Sequence, residues 1–157
     1  MQRISTSRRA LIMGATLLVT SGCASTPSTS LQTSVLRDAP LKDYKQAFIE
    51  VVGEDEFQVG AALAIELSDM GLEVLADSPG LKEGVLRVRA TPIGGWDLSR
   101  YLQSLQLQLS SAATGRVEAT TYFRSNGAWM GARDKRLKLA FNDLRAKLGL
   151  PPSKQFP

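Results

Sequence analysis

The chain has 157 residues, with 19 lysines and arginines against 15 aspartates and glutamates, one cysteine and no histidine. Without histidine, the chain lacks the commonest general base, the commonest metal ligand and the side chain that titrates near neutral pH. A single cysteine has no partner within the chain for a disulfide. We therefore expect a protein that is not an enzyme and that holds neither a cofactor nor a metal.

The N-terminus has the parts of a secretory signal. A basic segment, residues 3–9, precedes an apolar stretch, residues 10–19, that is too short to span a bilayer as a stable helix. Small residues then lead to Cys23. This segment resembles a bacterial lipoprotein signal, and the resemblance implies cleavage after Gly22 and attachment of lipid to Cys23. An ordinary secretory signal that ends beside a cysteine is the alternative interpretation.

The signal decides where we expect the protein and how its charge is interpreted. Ala24 stands where inner-membrane lipoproteins of the enteric type usually carry aspartate, so the resemblance implies a lipid anchor in the outer membrane, with the domain facing the periplasm. Removal of residues 1–22 takes away three of the 19 basic residues and leaves 16 against 15 acidic ones. That balance gives no indication of nucleic acid binding. Residues 7–12 also resemble a twin-arginine export motif, so the export route stays open.

Composition divides the remaining chain into three parts. Residues 23–40 are mostly small and polar, and they predict a flexible tether that begins at the lipidated cysteine. Residues 41–150 are enough for a single domain with one core. Residues 151–157 begin with two prolines and predict a loose tail.

Alternation and helical spacing predict seven elements in residues 41–150. The first four are a strand at 44–52, a helix that follows the acidic residues 54–56 and ends at Gly71, and strands at 72–76 and 84–90. A loop at 91–97 follows. The last three are the two strands of a hairpin, 105–110 and 116–124, and a helix from about Ala132 to Pro151. The order β-α-β-β-β-β-α predicts an α+β fold, a two-layer sandwich in which both helices cover one side of a mainly antiparallel sheet.

A group of small envelope lipoproteins shares this arrangement. The order of elements, the cysteine of the signal, the polar tether, the helix that ends in Met70-Gly71 and the hairpin residues 105–109 and 114–117 resemble that group. It includes the lipoprotein of the curli secretion channel and the activator lipoproteins of penicillin-binding proteins. The resemblance covers most of residues 44–148, and it implies an envelope protein without a catalytic signature.

Two tryptophans are candidates for contact with a partner. Trp96 stands beside two glycines, with Arg100 and Tyr101 nearby, and this makeup is typical of a loop that stacks on sugar or anchors a partner protein. Trp129 is predicted to lie in a second loop, between the last strand and the last helix. If both loops lie at one end of the sheet, they form a single apolar patch. The alternative is that Trp96 folds over the sheet edge as a small satellite of the core.

Charged residues give a further candidate surface and one structural assignment. Arg87 and Arg89 on one predicted strand, with Arg116 and Arg124 on another, predict a basic stripe on the uncovered face of the sheet; arginines that only keep this face soluble are the alternative. The acidic pair Asp55 and Glu56 is interpreted as a favourable partner of the helix N-terminus that follows.

These observations predict a non-enzymatic outer-membrane lipoprotein. We expect its tethered domain to bind another envelope component, a protein or a glycan, as an accessory or assembly factor. The alternative is a structural component that assembles with copies of itself in an envelope or secretion complex, because exposed sheet edges permit such pairing.

Overall fold

The computed structural model describes residues 29–36, 41–97, 99–126 and 133–155. They form six strands and two helices: β1 Thr29–Val35, β2 Gln46–Val51, α1 Val59–Asp69, β3 Glu73–Leu75, β4 Val85–Asp97, β5 Ser99–Ser111, β6 Val117–Ser125 and α2 Arg133–Lys147. The predicted signal at 1–22, the lipidation site Cys23 and the second tryptophan, Trp129, lie outside the described residues.

The six strands form one mixed sheet in the order β1-β6-β5-β4-β2-β3. β1, β6, β5 and β4 pair antiparallel, whereas β2 lies parallel to both β4 and β3. Helix α1 packs on β2, β3 and β4, and α2 packs on β1, β5 and β6. The predicted α+β fold is confirmed, and the order of elements in residues 46–147 is the predicted one.

The core lies between the helices and one face of the sheet, as alternation along the strands predicts. Leu105, Leu107 and Leu109 of β5 are buried, whereas Gln106 between them is exposed on the opposite face. The two leucines at 107 and 109 pair with Ala90 and Val88 of β4, which are buried in the same cluster. The helices contribute the rest of this cluster through Val59, Ala62, Leu63, Leu67, Leu137, Ala140, Phe141 and Leu144.

The predicted tether at 23–40 contains a strand. β1 pairs with β6 from Thr29↔Ser125 to Val35↔Ala119, and Val35 packs against the core. The hydroxyls of Thr33 and Thr121 lie 3.0 Å apart in a hydrogen bond. Because an unpaired β6 would leave a row of backbone donors and acceptors open at the sheet edge, pairing with β1 satisfies groups that composition does not reveal. The segment between Cys23 and the first strand therefore shrinks to residues 24–28.

The predicted loose tail is also held in place, up to the last described residue. Arg145 of α2 donates from Nε to the carbonyl of Pro151 at 2.6 Å. Its Nη1 lies 3.0 Å from the Glu66 carboxylate of α1, and its Nη2 lies 3.1 Å from that of Asp69. The hydroxyl of Ser153 donates to the same Glu66 carboxylate. Glu66 and Arg145 are buried, so solvent screens their ion pair only weakly, whereas Asp69 is partly exposed. The cluster joins both helices and the tail.

Replacing Arg145 by methionine should destabilise the domain strongly. The Arg145→Met side chain keeps the apolar stem but leaves the buried Glu66 carboxylate without its cation, and such a loss costs about 3–5 kcal/mol. Urea denaturation followed by circular dichroism measures the free energy of unfolding. Lys147→Ala, on an exposed position of the same helix, should change it by no more than about 0.5 kcal/mol. Equal effects of the two substitutions would show that the cluster does not hold the tail.

Candidate functional site: an aromatic ribbon

The loop predicted at 91–97 is instead the end of a long strand. β2 pairs with β4 only as far as Ala90, and β6 pairs with β5 only from Ser104 onward. Beyond these points β4 and β5 continue to pair with each other, from Ile93↔Ser104 to Asp97↔Ser99. Residues 91–97 and 99–103 therefore project from the sheet as a two-stranded hairpin, which we call the ribbon. The proline and two glycines that predicted a loop are tolerated because few other strands pair here.

Two glycines let other side chains lie against the ribbon. A Cβ added to Gly95 would be 2.5 Å from the ring of Tyr101, its cross-strand partner. A Cβ added to Gly94 would be 2.7 Å from Oε1 of Glu56. Side chains at either position would thus displace a neighbour. The tyrosine ring crosses the ribbon backbone only because glycine stands opposite to it.

Arginine contacts fix the ribbon against the segment that leads into α1. Arg100 on β5 donates from Nη2 to Oε1 of Glu56 at 2.8 Å. Arg133, the first residue of α2, donates to the carbonyl of Phe57 at 3.2 Å and to Oε1 of Gln58 at 3.1 Å. Gln58 has a left-handed backbone, with φ 52°. The turn before α1 is thereby linked both to the ribbon and to α2.

Arg136 of α2 supports the base of the ribbon from inside. Its Nη1 donates to the carbonyl of Leu102 at 2.5 Å, and its guanidinium carbon lies 4.8 Å from the ring centroid of Tyr101. Burial lowers the pKa of the Arg136 guanidinium, and Tyr101 acts in the opposite direction. A buried cation over an aromatic face is held electrostatically and desolvated. The side chain of Tyr101 is therefore fixed from both sides, by Arg136 and by Gly95.

The same structure that fixes the ribbon leaves its apolar side chains in solvent. The side chain of Trp96 is 73% exposed and that of Ile93 is 53% exposed. Both residues lie on β4, on either side of a register irregularity between Ile93 and Gly94, so the ribbon presents two large exposed apolar side chains. Trp96 is thus not packed over the sheet edge as a satellite of the core. A rigid support under exposed aromatic and aliphatic groups is suited to binding.

The candidate site residues fall into separate places. Trp96, Arg100 and Tyr101 come together on the ribbon, and Trp129 lies outside the described residues. Sequence reasoning missed Ile93 and Arg136 as members of the site. Ile93 could have been found, because it is an apolar residue three positions before Trp96. Arg136 could not, because its contact depends on α2 crossing the ribbon base, which no local pattern encodes.

The arginines expected to form a basic stripe do not lie in one run. Nε of Arg89 is 3.8 Å from Glu50, and Nε of Arg116 is 3.7 Å from Glu118. Arg87 neighbours Arg89 on β4, but Arg124 pairs with Ser104 at the ribbon end of the sheet. The uncovered face therefore carries scattered arginines, two of them beside carboxylates.

Asp55 has a structural role at the start of α1. The Asp55 carboxylate accepts hydrogen bonds from the backbone N–H of Val59 at 2.6 Å and of Gly60 at 2.9 Å, which satisfies the N-terminus of α1. The described residues hold no group of three or more metal-ligating side chains close enough to bind an ion. None of the helices in the described ranges is long and apolar enough to cross a membrane.

Comparisons with known proteins show a likeness of fold. No protein-family model matches the chain. No curated protein matches it either. The PelC dodecamer from Paraburkholderia phytofirmans is 10% identical, with 79% of this chain and 99% of that chain covered and a TM-score of 0.52. A minor lipoprotein from Acinetobacter baumannii is 14% identical, with 70% and 98% covered and a TM-score of 0.35. A PDZ domain protein from Parabacteroides distasonis is 12% identical, with 78% and 35% covered and a TM-score of 0.41.

Replacing Gly95 by alanine should distort the ribbon through its contact with Tyr101. We expect a loss of about 1–3 kcal/mol in the free energy of unfolding, since the added methyl group overpacks a fixed ring. In a background that already carries Tyr101→Ala, Gly95→Ala should lose less than half as much, because the ring it collides with is gone. Thermal unfolding of the four chains measures this coupling. An additive pair would contradict the assigned contact.

Proposed function

We propose that this chain is a non-enzymatic envelope lipoprotein, anchored by lipid on Cys23, in which the ribbon is the docking element for another envelope component. In this role the domain acts as an accessory or assembly factor at the outer membrane. The observation that carries the proposal is the ribbon itself: a projecting hairpin, fixed at its base, that exposes Trp96. The lipoprotein signal supports the location, and the minor lipoprotein among the compared structures is consistent with it.

The contacts that hold the ribbon favour a binding role for its exposed side chains. Docking a mobile hairpin would require ordering of its backbone and side chains, which opposes association. Here Arg136 holds the ribbon at Leu102, and Glu56 holds it at Arg100, opposite Trp96. Arg133 holds the neighbouring segment at Phe57 and Gln58. Tryptophan and arginine are also the residue types that contribute most to binding energy at interfaces. The ribbon backbone that carries Trp96 is therefore already ordered in the folded domain, before a partner binds.

A photo-reactive amino acid in place of Trp96 should form adducts with an envelope component in living cells. The same group in place of Leu81 is the matched control, because Leu81 is 84% exposed and precedes β4 at the other end of the sheet. Mass spectrometry identifies the adducts as protein, glycan or lipid. We expect adducts from position 96 to exceed those from position 81 by roughly tenfold, as for a central contact against a bystander. Equal yields would contradict docking through the ribbon.

Self-assembly is a second candidate, and the exposed edge of the sheet favours it. The outer edge of β1 has no neighbouring strand among the described residues, and its sequence Thr29–Val35 contains neither a charge nor a proline. Such an edge lacks the devices that usually prevent pairing with another chain. The opposite edge strand, β3, has only three residues, so the two edges of the sheet differ. A contact between the β1 edge of one copy and a different surface of the next copy is head-to-tail, and such contacts can close into a ring. The protein compared above as a dodecamer shares this fold.

A lysine on the β1 edge decides between the two candidates. If copies of the chain pair through this edge, Gln32→Lys should reduce the detergent-solubilised protein from a multimer to a monomer, because an edge lysine opposes strand pairing. Gln106→Lys, an exposed glutamine on the central strand β5, is the control and should leave the mass unchanged. Light scattering measures the mass. A monomeric parent chain would contradict self-assembly and leave docking of a different component.

A further inference from the structure

We propose that the component contacted by the ribbon is the lipid bilayer that holds the chain's own anchor, with Trp96 and Ile93 seated at the level of the lipid headgroups. The inference rests on the proposed lipid anchor at Cys23, and it commits the ribbon to a lipid surface where the proposed function names only an envelope component. It is carried by the direction of β1, by the length of chain between Cys23 and that strand, and by the chemistry of the ribbon.

Strand pairing places the start of β1 and the ribbon at the same end of the sheet. Ser30 pairs with Arg124, Arg124 with Ser104, and Ser104 with Ile93, so these residues form one row across four strands. β1 is antiparallel to β6, β6 to β5 and β5 to β4. The residues that precede Ser30 therefore lie on the same side of this row as Trp96.

The segment that links the lipidated cysteine to this row is short. Five residues, 24–28, separate Cys23 from Thr29. At about 3.3–3.6 Å per residue, even a fully extended segment places Cys23 no more than about 20 Å from the start of β1. Residues 94–97 extend the ribbon roughly 13 Å past the row in the same direction. With its lipid in the membrane, the chain has its ribbon end, and not the opposite end, close to the bilayer.

The exposed groups of the ribbon match the boundary between lipid and water. Tryptophan is enriched at this boundary because its ring is apolar and its N–H is polar. Ile93 presents a second exposed apolar group on the same strand of the hairpin. Arg124 lies exposed in the same row of the sheet as Ile93, and arginine places its stem among apolar groups while its charge reaches the headgroups. The nearby Glu56 is neutralised by Arg100 at 2.8 Å.

A flexible tether would have removed this constraint. If residues 23–40 were unstructured, the domain would rotate freely below the membrane and any surface would be presented equally. Incorporation of residues 29–35 into the sheet shortens the connection and orients the domain. The same strand that fills the sheet edge thus determines which end of the fold meets the lipid.

Quenching of tryptophan fluorescence by brominated lipid tests this arrangement. The full lipidated chain carrying Trp129→Phe, with Trp96 as its one tryptophan, is reconstituted in phosphatidylethanolamine and phosphatidylglycerol vesicles. The control chain carries Trp96→Phe, Trp129→Phe and Leu81→Trp, which places the one tryptophan at the exposed position 81. Replacing the phospholipid by a brominated one should reduce the Trp96 emission roughly twofold and leave the control emission unchanged, because interfacial tryptophans lie at headgroup depth.

The outcomes separate the two proposals. Flotation with the vesicles reports the anchor, and the Cys23→Ser chain should not float. Flotation of the lipidated chain with equal quenching at positions 96 and 81 would overturn the bilayer contact while the anchor stands. Failure of the parent chain to float would overturn the anchor and the contact with it. In cells, adducts of position 96 with a protein or glycan and not with lipid would overturn the bilayer contact while docking through the ribbon stands.

Discussion

Strands β4 and β5 pair from Leu86↔Ser111 to Asp97↔Ser99, and this pairing supports every other part of the domain. At its inner half, alternating leucine, valine and alanine side chains form the floor on which both helices pack. At its outer half no third strand from the described part of the chain joins, and the same two strands continue as the ribbon. The core strands and the candidate site are thus successive segments of the β4–β5 hairpin. A shift in the pairing of β4 with β5 would therefore displace the core side chains and the ribbon side chains together.

Buried arginines hold the elements that pack on this hairpin. Arg136 and Arg145 both lie on α2, nine residues apart, and each donates to groups on other elements. Arg136 fixes the ribbon base through Leu102, whereas Arg145 joins Glu66 of α1 to the C-terminal segment. Buried ion pairs add little net stability compared with apolar packing, but they are costly to separate. We infer that these contacts mainly restrict the helices to one placement.

The N-terminal strand connects the fold with its proposed place in the cell. A lipid on Cys23 would attach the chain to a membrane whatever the domain looks like, but the orientation of the domain depends on how the chain enters the sheet. β1 enters at the ribbon end, and five residues separate its first residue from the cysteine. Its outer edge has no neighbouring strand among the described residues, and residues 29–35 carry no charge. The orientation proposed for the domain and the edge proposed for self-assembly therefore both depend on one seven-residue strand.

Features that depend on local pattern could be predicted from the order of residues alone. The alternation of Leu105, Leu107 and Leu109 predicted a strand with one buried face, and the helical spacing predicted α1 and α2, because these periods follow from backbone geometry. The segment before Cys23 predicted an exported lipoprotein, and the aromatic and glycine residues around Trp96 drew attention to the ribbon.

Only the tertiary structure decided what depends on distant pairing. The hydroxyls of Thr29 and Ser125 are hydrogen-bonding partners that lie 96 positions apart, so nothing local marks residues 29–35 as a strand. Residues 91–97 contain a proline and two glycines, which disfavour a strand, and they form one because residues 93–97 pair with residues 99–104. The C-terminal tail became ordered through Glu66, 87 positions before Ser153. In each case a polar or weakly strand-forming segment was ordered by backbone and side-chain groups supplied from elsewhere in the fold.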